Sequence, residues 1–219
     1  MLRIEKLSKS FGQKIILDEV NFEININESI GLLGKNGSGK STFLKILVDL
    51  VNYQNGSIFY NEKKIKMETS YKSKILYLGH QPSFYPSLTA KENLLFISKI
   101  YKIDENQIIK KIVNSLNIVG LSNSINLPVS VFSSGMLRKL SISKAILLEN
   151  IWEILLLDEP NDGLDIEGQE MLSNLILSWK NEKSNNHKSL LIVSHNENWI
   201  KNHTDQVMHL AKGKINKYD

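Results

Sequence analysis

The sequence has no cysteine among its 219 residues, which excludes disulfide bonds, thiolate catalysis, cysteine-ligated zinc and cysteine-held iron–sulfur clusters. It also lacks any apolar run near the roughly 20 residues that a membrane-spanning helix needs. The most apolar segment, Ile154–Leu157, stands between acidic residues. The N-terminus lacks the apolar middle region of a signal peptide. We therefore expect the chain neither to cross a membrane nor to be exported by that route, so that any membrane role needs a partner.

An excess of one charge is also missing, since 27 basic and 23 acidic residues leave a net charge of only +4. The densest basic stretch, Lys63–Lys66, has no interleaved aromatic residues, and a nucleic-acid footprint would need a charged stripe with them. We interpret this stretch as solvated surface. No nucleic-acid partner is expected.

Short strands are predicted in several parts of the chain. Leu2–Leu7 and Val20–Ile26 alternate apolar and polar residues, and Asn55-Gly56 is typical of a hairpin turn. Ile154–Leu157 and Leu190–Val193 are apolar throughout, which is typical of strands in a parallel sheet covered on both faces.

A mostly helical block interrupts these strands. Thr89 and Glu92 form the sequence pattern of a capping box, and apolar residues recur with helical spacing from Ile108 to Leu116. We expect one domain over residues 1–219, with an α/β core formed by 1–83 and 151–219 and a helical subdomain formed by 84–150.

A phosphate-binding loop is predicted where an apolar strand, Ile30–Leu33, meets a helix with an apolar side. Glycines allow the backbone to wrap phosphate oxygens, and the loop's N–H groups at the helix N-terminus attract anions. Lys40 adds a point charge for the β- and γ-phosphates, and the Ser41 hydroxyl completes Mg²⁺ coordination. The nucleoside triphosphate site comprises Gly34, Lys35, Asn36, Gly37, Ser38, Gly39, Lys40, Ser41 and Thr42.

Two carboxylates, Asp158 and Glu159, directly follow the strand Ile154–Leu157. Ligands of open α/β sheets lie at the carboxyl ends of the strands. Beside a P-loop, Asp158 is therefore expected to hold Mg²⁺, and Glu159 is placed to polarise the attacking water.

Two further side chains follow predicted strands. His195 comes after Leu190–Val193, where it serves either a structural purpose or as a donor to the γ-phosphate. Gln81 comes after Ile75–Leu78, at the junction with the helical block, where its amide would contact Mg²⁺ and the attacking water.

Together these residues resemble the ATPase subunit of ABC transporters over essentially the whole chain. The resemblance implies a P-loop NTPase fold of the ABC ATPase type: an α/β core with a mainly parallel sheet, an N-terminal antiparallel β subdomain and an inserted helical subdomain. It implies ATP and Mg²⁺ as ligands. By this resemblance residues 34–42 correspond to the Walker A motif and residues 154–159 to the Walker B motif, in which Glu159 is catalytic. Gln81 corresponds to the Q-loop glutamine, and His195 to the switch histidine. Phe11 is the residue that stacks on adenine, and Asp165 is part of the D-loop.

The family's signature, usually Leu-Ser-Gly-Gly-Gln, corresponds here to the run Phe132, Ser133, Ser134, Gly135 and Met136. Ser133 and Gly135 match, whereas Ser134 and Met136 depart from the pattern. In the family this segment binds the ATP of the opposite subunit. The resemblance therefore implies a homodimer that sandwiches two ATP molecules head-to-tail and drives integral membrane subunits from the cytoplasmic side of the cell membrane.

A finer resemblance involves Tyr77–Pro82 and Leu88–Leu94, which are similar to the haem-exporter ATPases of cytochrome c maturation. It implies a role in haem export without direct haem binding by this chain. The alternatives are the ATPase of another ABC exporter, of the ABC-2 type, and a soluble iron–sulfur assembly ATPase. DNA-repair ATPases of the superfamily would need long coiled coils, and translation-type proteins would need a second nucleotide domain.

Overall fold

The computed structural model describes residues 1–65, 71–81, 83–103, 105–181 and 188–218. Lys66 and Pro82, two residues singled out above, lie outside these ranges. The described strands are β1 (Leu2–Phe11), β2 (Lys14–Ile24), β3 (Ser29–Leu33), β4 (Asn55–Tyr60), β5 (Lys63–Lys64), β6 (Ile75–Leu78), β7 (Ile154–Asp158), β8 (Ser189–Val193), β9 (Gln206–Ala211) and β10 (Lys214–Lys217). The α-helices are α1 (Lys40–Leu47), α2 (Ala90–Ile100), α3 (Ile108–Ile118), α4 (Ser134–Leu147), α5 (Ile166–Asn181) and α6 (Glu197–His203).

The residues pack into two units. The first comprises Met1–Gly79, Glu153–Pro160 and Ile176–Asp219, and the second comprises His80–Trp152 and Asn161–Leu175. Among the described residues, no helix combines the length and the apolar character that a bilayer span requires.

The first unit contains two sheets. Its six-stranded sheet has the order β10-β9-β3-β8-β7-β6, in which only the β9–β10 pair is antiparallel. The predicted parallel sheet is thus confirmed. The other sheet is antiparallel, with the order β2-β1-β4-β5.

Both faces of the six-stranded sheet are covered, as the apolar strands predicted. Ile30 and Leu32 of β3 point into the main core together with Phe43 and Leu44 of α1. Gly31 points to the other face, where an added Cβ would lie 2.6 Å from the side chain of Ile200 on α6. Successive side chains of a strand alternate between faces, so α1 and α6 cover opposite faces.

The second unit contains α2, α3 and α4, which pack pairwise on one another. The predicted capping box is confirmed at the start of α2: the Thr89 hydroxyl accepts a hydrogen bond from Glu92 N, and Glu92 Oε2 accepts one from Thr89 N at 2.8 Å. The apolar stripe of α3 is narrower than predicted. Ile112 and Leu116 are buried, but Ile109 is 43% exposed.

The predicted hairpin turn at Asn55-Gly56 is wrong. These residues begin β4, which pairs antiparallel with β1 across a bulge between Glu5 and Ser8. Gly56 has φ +109°, and an added Cβ would lie 2.7 Å from backbone atoms of β1. The glycine therefore serves the close approach of two strands rather than a turn. The strand predicted to reach Ile26 ends at Ile24, and Ile26 is exposed.

Candidate active site

The P-loop connects β3 to α1 within the first unit. Gly39 is the N-cap of α1 at φ +109°, and no side chain in the described part of the chain caps the helix, so the N–H groups of its first turn stay available to an anion. An added Cβ at Gly39 would lie 2.7 Å from Ile16 Cγ2, and one at Gly34 would lie 2.7 Å from the Leu210 carbonyl oxygen. These glycines let the loop run tightly against β2 and β9.

Lys40 lies inside this loop and is only 6% exposed. Its ammonium donates to the Gly34 carbonyl oxygen at 2.7 Å and to that of Lys35 at 3.4 Å. The Ser38 hydroxyl is buried and has no hydrogen-bond partner in the described structure. A buried ammonium and an unsatisfied hydroxyl, both in a loop of backbone donors, fit an anionic ligand with several oxygens.

Asp158 ends β7 beside the P-loop and is 1% exposed. Its Oδ1 accepts a hydrogen bond from Ser41 Oγ at 3.0 Å, and its Oδ2 accepts one from Tyr77 Oη at 2.9 Å. The pair of Ser41 and Asp158 offers the hard oxygen donors that Mg²⁺ prefers, so the donor chemistry fits this ion.

Glu159 follows Asp158 in a conformation that is uncommon for a residue with a Cβ, at φ +47°. Its Oε1 lies 3.7 Å from Lys40 Nζ. Its Oε2 accepts hydrogen bonds from His195 N at 3.2 Å and from His195 Nδ1 at 2.9 Å. The left-handed backbone turns this carboxylate away from the strand direction and holds it between a lysine and a histidine.

His195 follows β8 and is exposed, apart from its contact with Glu159. Because an ionised carboxylate only accepts hydrogen bonds, Nδ1 of His195 is the donor in this contact. In the neutral ring Nε2 is then an acceptor. It donates to a phosphate only when the ring is doubly protonated.

A cavity of about 390 Å³ lies beside these groups in the first unit. The exposed side chains of Lys35 and Asn36 line it from the P-loop, and His195 and Glu197 line it from the segment between β8 and α6 and from the first residue of α6. Thr42, the last residue of the predicted loop, is half-buried in the first turn of α1.

Phe11 ends β1 and is 53% exposed. It lies opposite Lys14 at the tip of the β1–β2 hairpin, with the Lys9 ammonium 4.6 Å from its ring centre. Further along β2, Ile16 contacts the P-loop at Gly39. The hairpin therefore carries an exposed aromatic ring a few residues from the phosphate-binding loop.

The signature residues belong to the second unit. Ser133 is the N-cap of α4, and its hydroxyl accepts a hydrogen bond from Met136 N at 3.2 Å. Ser133 and Ser134 are exposed. An added Cβ at Gly135 would lie 2.7 Å from the Gly163 carbonyl oxygen, so the signature and the D-loop segment pack backbone to backbone.

Asp165 connects the same two segments by charge. Lys139 of α4 lies 3.1 Å from its Oδ1, and Gly168 N donates to that oxygen at 2.9 Å. The hydrogen bond from Lys139 is the largest cause that holds the pKa of Asp165 below its usual value.

Gln81, also in the second unit, is exposed.

The structure brings together five of the predicted residues, Lys40, Ser41, Asp158, Glu159 and His195, and it adds contacts that the sequence did not predict. Tyr77 reaches Asp158, and Lys139 reaches Asp165. In the second unit, the buried Arg138 donates to the His80 carbonyl oxygen at 3.0 Å. Strand register gives a signal for Tyr77, because it pairs with Leu156, two residues before Asp158. No sequence signal singles out Lys139.

Comparison with known proteins identifies relatives over nearly the whole chain. The ABC transporter family model matches residues 17–162. The lantibiotic transport ATP-binding protein SrtF of Streptococcus pyogenes is 35% identical over 215 residues, which are 98% of this chain and 89% of the relative. The bacitracin transport ATP-binding protein BcrA of Bacillus licheniformis is 32% identical over 216 residues, which are 98% of this chain and 68% of the relative.

Among solved structures, an ATP-binding subunit of an ABC transporter superposes with a TM-score of 0.88. It is 25% identical, and the match covers 100% of this chain and 90% of that one. The fold expected from the motifs, an α/β P-loop NTPase of the ABC ATPase type, is confirmed.

Proposed function

This chain belongs to the ABC transporter family and carries its ATPase domain, and from that premise we propose that it powers the export of antimicrobial peptides by a membrane complex. The observation that carries the ATPase part is the cluster of Lys40, Asp158, Glu159 and His195 around one P-loop. The observation that supports the cargo is that two relatives are named for lantibiotic and for bacitracin transport.

Phosphate binding is the first task of this cluster. The N–H groups of the P-loop and the first turn of α1 would bind phosphate oxygens, and the Lys40 ammonium would exchange its carbonyl partners for the more negative phosphate. Ser41 and Asp158 would hold Mg²⁺, which neutralises charge on the phosphates. Phe11, exposed at the hairpin tip, would stack on adenine.

Hydrolysis would rest on Glu159. Its carboxylate would orient and polarise the attacking water while His195 fixes its rotamer through two hydrogen bonds. The Lys40 ammonium, 3.7 Å from this carboxylate, would hold it beside the phosphate-binding loop. His195 would also contact the γ-phosphate, and Gln81 would contact Mg²⁺ and the water.

The signature implies that a second copy completes each site. Ser133 and the N–H groups at the start of α4 would bind the ATP held by the partner subunit, with Ser134, Gly135 and Met136 in the same surface. The Asp165 segment, tied to α4 through Lys139, would lie in that interface. The dimer would attach to the membrane through the integral membrane subunits that it drives.

The haem-export role implied by the finer resemblance has no support among the relatives described above, whose names concern peptide antibiotics. The alternative of another ABC exporter is therefore the one we adopt. A soluble iron–sulfur assembly ATPase would have soluble partners, so recovery of soluble partners alone would contradict the proposal.

The test is purification of the tagged chain from gently solubilised native membranes, followed by an ATPase assay of the recovered complex. We expect multi-span membrane subunits in the complex, and a severalfold stimulation of ATP hydrolysis by bacitracin or a lantibiotic but not by haem. The matched complex with Lys40→Ala supplies the background rate. Only soluble partners, or stimulation by haem alone, would contradict the proposal.

A further inference from the structure

Tyr77 is a side chain with no predicted role in the site, although it contacts the predicted metal ligand Asp158. It lies on β6, next to β7 in the sheet, and its register partner is Leu156. In parallel strands, paired residues point to the same face, and so do residues two apart. Tyr77, Leu156 and Asp158 therefore share one face, and a tyrosine is long enough to reach forward to the end of β7.

The contact that results is a hydrogen bond of 2.9 Å from Tyr77 Oη to Asp158 Oδ2. The other oxygen, Oδ1, accepts from Ser41 Oγ at 3.0 Å. Asp158 is 1% exposed, so water supplies little alternative hydrogen bonding. The two donors fix the plane of the carboxylate, with one oxygen directed to the P-loop serine and the other to the tyrosine.

The tyrosine ring is itself held in place. It packs against the main core of the first unit. It also lies against Gly79, where an added Cβ would come within 2.9 Å of the ring. A hydroxyl on a ring that is restrained in this way is a fixed donor rather than a mobile one.

From this geometry we infer that Tyr77 is a positioning residue that sets the orientation of Asp158 for the divalent cation of the nucleotide. The inference rests on the proposed ATPase function. Groups that hydrogen-bond to metal ligands orient those ligands, and their loss commonly lowers metal affinity by about 10- to 100-fold. Tyr77 would act on the cation alone, because the P-loop donors bind the phosphates independently of it.

The test is Tyr77→Phe, which keeps the ring and removes only the hydroxyl. The readout is the affinity of Mn²⁺, as a paramagnetic probe, for the protein–ATP complex. It is measured from the resonance of free Mn²⁺ with protein in excess over nucleotide, in a Glu159→Gln background that blocks hydrolysis. We expect Mn²⁺ affinity to fall about 10-fold. Binding of ATP in the presence of a chelator should change less than twofold.

The matched control is Tyr71→Phe, which removes a hydroxyl from another tyrosine of the same unit that is packed against the main core. It should leave Mn²⁺ affinity unchanged. Mn²⁺ affinity in Tyr77→Phe equal to that of the parent would overturn the inference, and so would an equal loss in both variants. Failure of the parent itself to bind ATP would instead contradict the proposed function.

Discussion

At the scale of single residues, Glu159 is where backbone geometry and chemistry are most closely linked. A non-glycine residue in the left-handed region costs on the order of 1–3 kcal/mol and persists only where its surroundings hold it there. Here a backbone hydrogen bond from Glu159 N to the Val193 carbonyl oxygen at 3.0 Å holds the chain, and the carboxylate then lies beside Lys40 and His195. The strained conformation of the backbone thus orients one carboxylate.

This strain predicts an unusual order of stability between two inactive variants. Glu159→Ala and Glu159→Gly lose the same carboxylate, but only glycine adopts φ +47° without a Cβ clash. We expect the glycine variant to be more stable by about 1 kcal/mol, measured as a higher urea midpoint at equal slope.

The matched control for that comparison is Glu170, an exposed residue inside helix α5. There the alanine variant should be the more stable one, again by about 1 kcal/mol, because glycine is a poor helix former. If the alanine variant were the more stable one at both positions, Glu159 would not be strained.

At the scale of elements, the start of α2 depends on a reciprocal pair of side chain and backbone. Thr89→Ala removes the hydroxyl that accepts from Glu92 N and donates to Glu92 Oε2. We expect a loss of about 1 kcal/mol in the free energy of unfolding at neutral pH. Thr89→Ser, which keeps the cap, should lose little.

Acid should reduce the cost of removing this cap. Hydrogen bonds from the Thr89 backbone N–H and then from its hydroxyl lower the pKa of Glu92, and Thr89→Ala removes only the hydroxyl. The stability that the hydroxyl contributes through the ionised carboxylate is present above the ordinary glutamate pKa and is lost as pH falls through the lowered value. The difference in melting temperature between the parent and Thr89→Ala should therefore shrink as the pH is lowered below the usual glutamate range. An equal difference at all pH values would contradict this account.

Elements whose signals are local could be predicted from the sequence. The sequence correctly predicted the elements that neighbouring residues determine. These are the capping box, the apolar strands Ile154–Leu157 and Leu190–Val193, and the strand–loop–helix around Lys40. The failure at Gly56 has the opposite cause. A glycine after asparagine is typical of a turn, but here it accommodates a strand that is distant in sequence.

The same distinction applies to the site. The motifs predicted that Ser41 and Asp158 hold the same Mg²⁺ ion, and the two side chains are hydrogen-bonded to each other. Contacts made across the sheet or between segments, such as Tyr77 with Asp158 and Lys139 with Asp165, depend on register and packing that no local pattern encodes. The backbone conformation of Glu159 also has no signature in residue type, because it goes with a backbone hydrogen bond to Val193 on the neighbouring strand.

At the scale of the whole molecule, the predicted chemistry is divided between the two units. Lys40, Asp158, Glu159 and His195 are all in the first, whereas Ser133, Gly135 and Asp165 are all in the second. Each group is assembled within its own unit, since the ion pairs of Glu159 and of Asp165 stay inside it. A site that combines the first-unit group of one copy with the second-unit group of another copy would form only when ATP joins two chains.

That division predicts dimer formation that depends on ATP when hydrolysis is blocked. Glu159→Gln keeps the shape of the side chain but removes the base, so the ATP-bound state should accumulate. Light scattering with saturating ATP and Mg²⁺ should give twice the monomer mass of 25.0 kDa, and the monomer mass without nucleotide. A monomer under saturating ATP would contradict the sandwich.

A second substitution in the same background tests whether the signature forms that dimer. Ser134 is exposed at the start of α4, so Ser134→Glu should leave the fold intact while placing a carboxylate against the phosphates of the partner's ATP. We expect Glu159→Gln with Ser134→Glu to bind ATP as a monomer. A dimer in the double variant would mean that the copies associate through another surface, because like charges at a phosphate contact cost several kcal/mol.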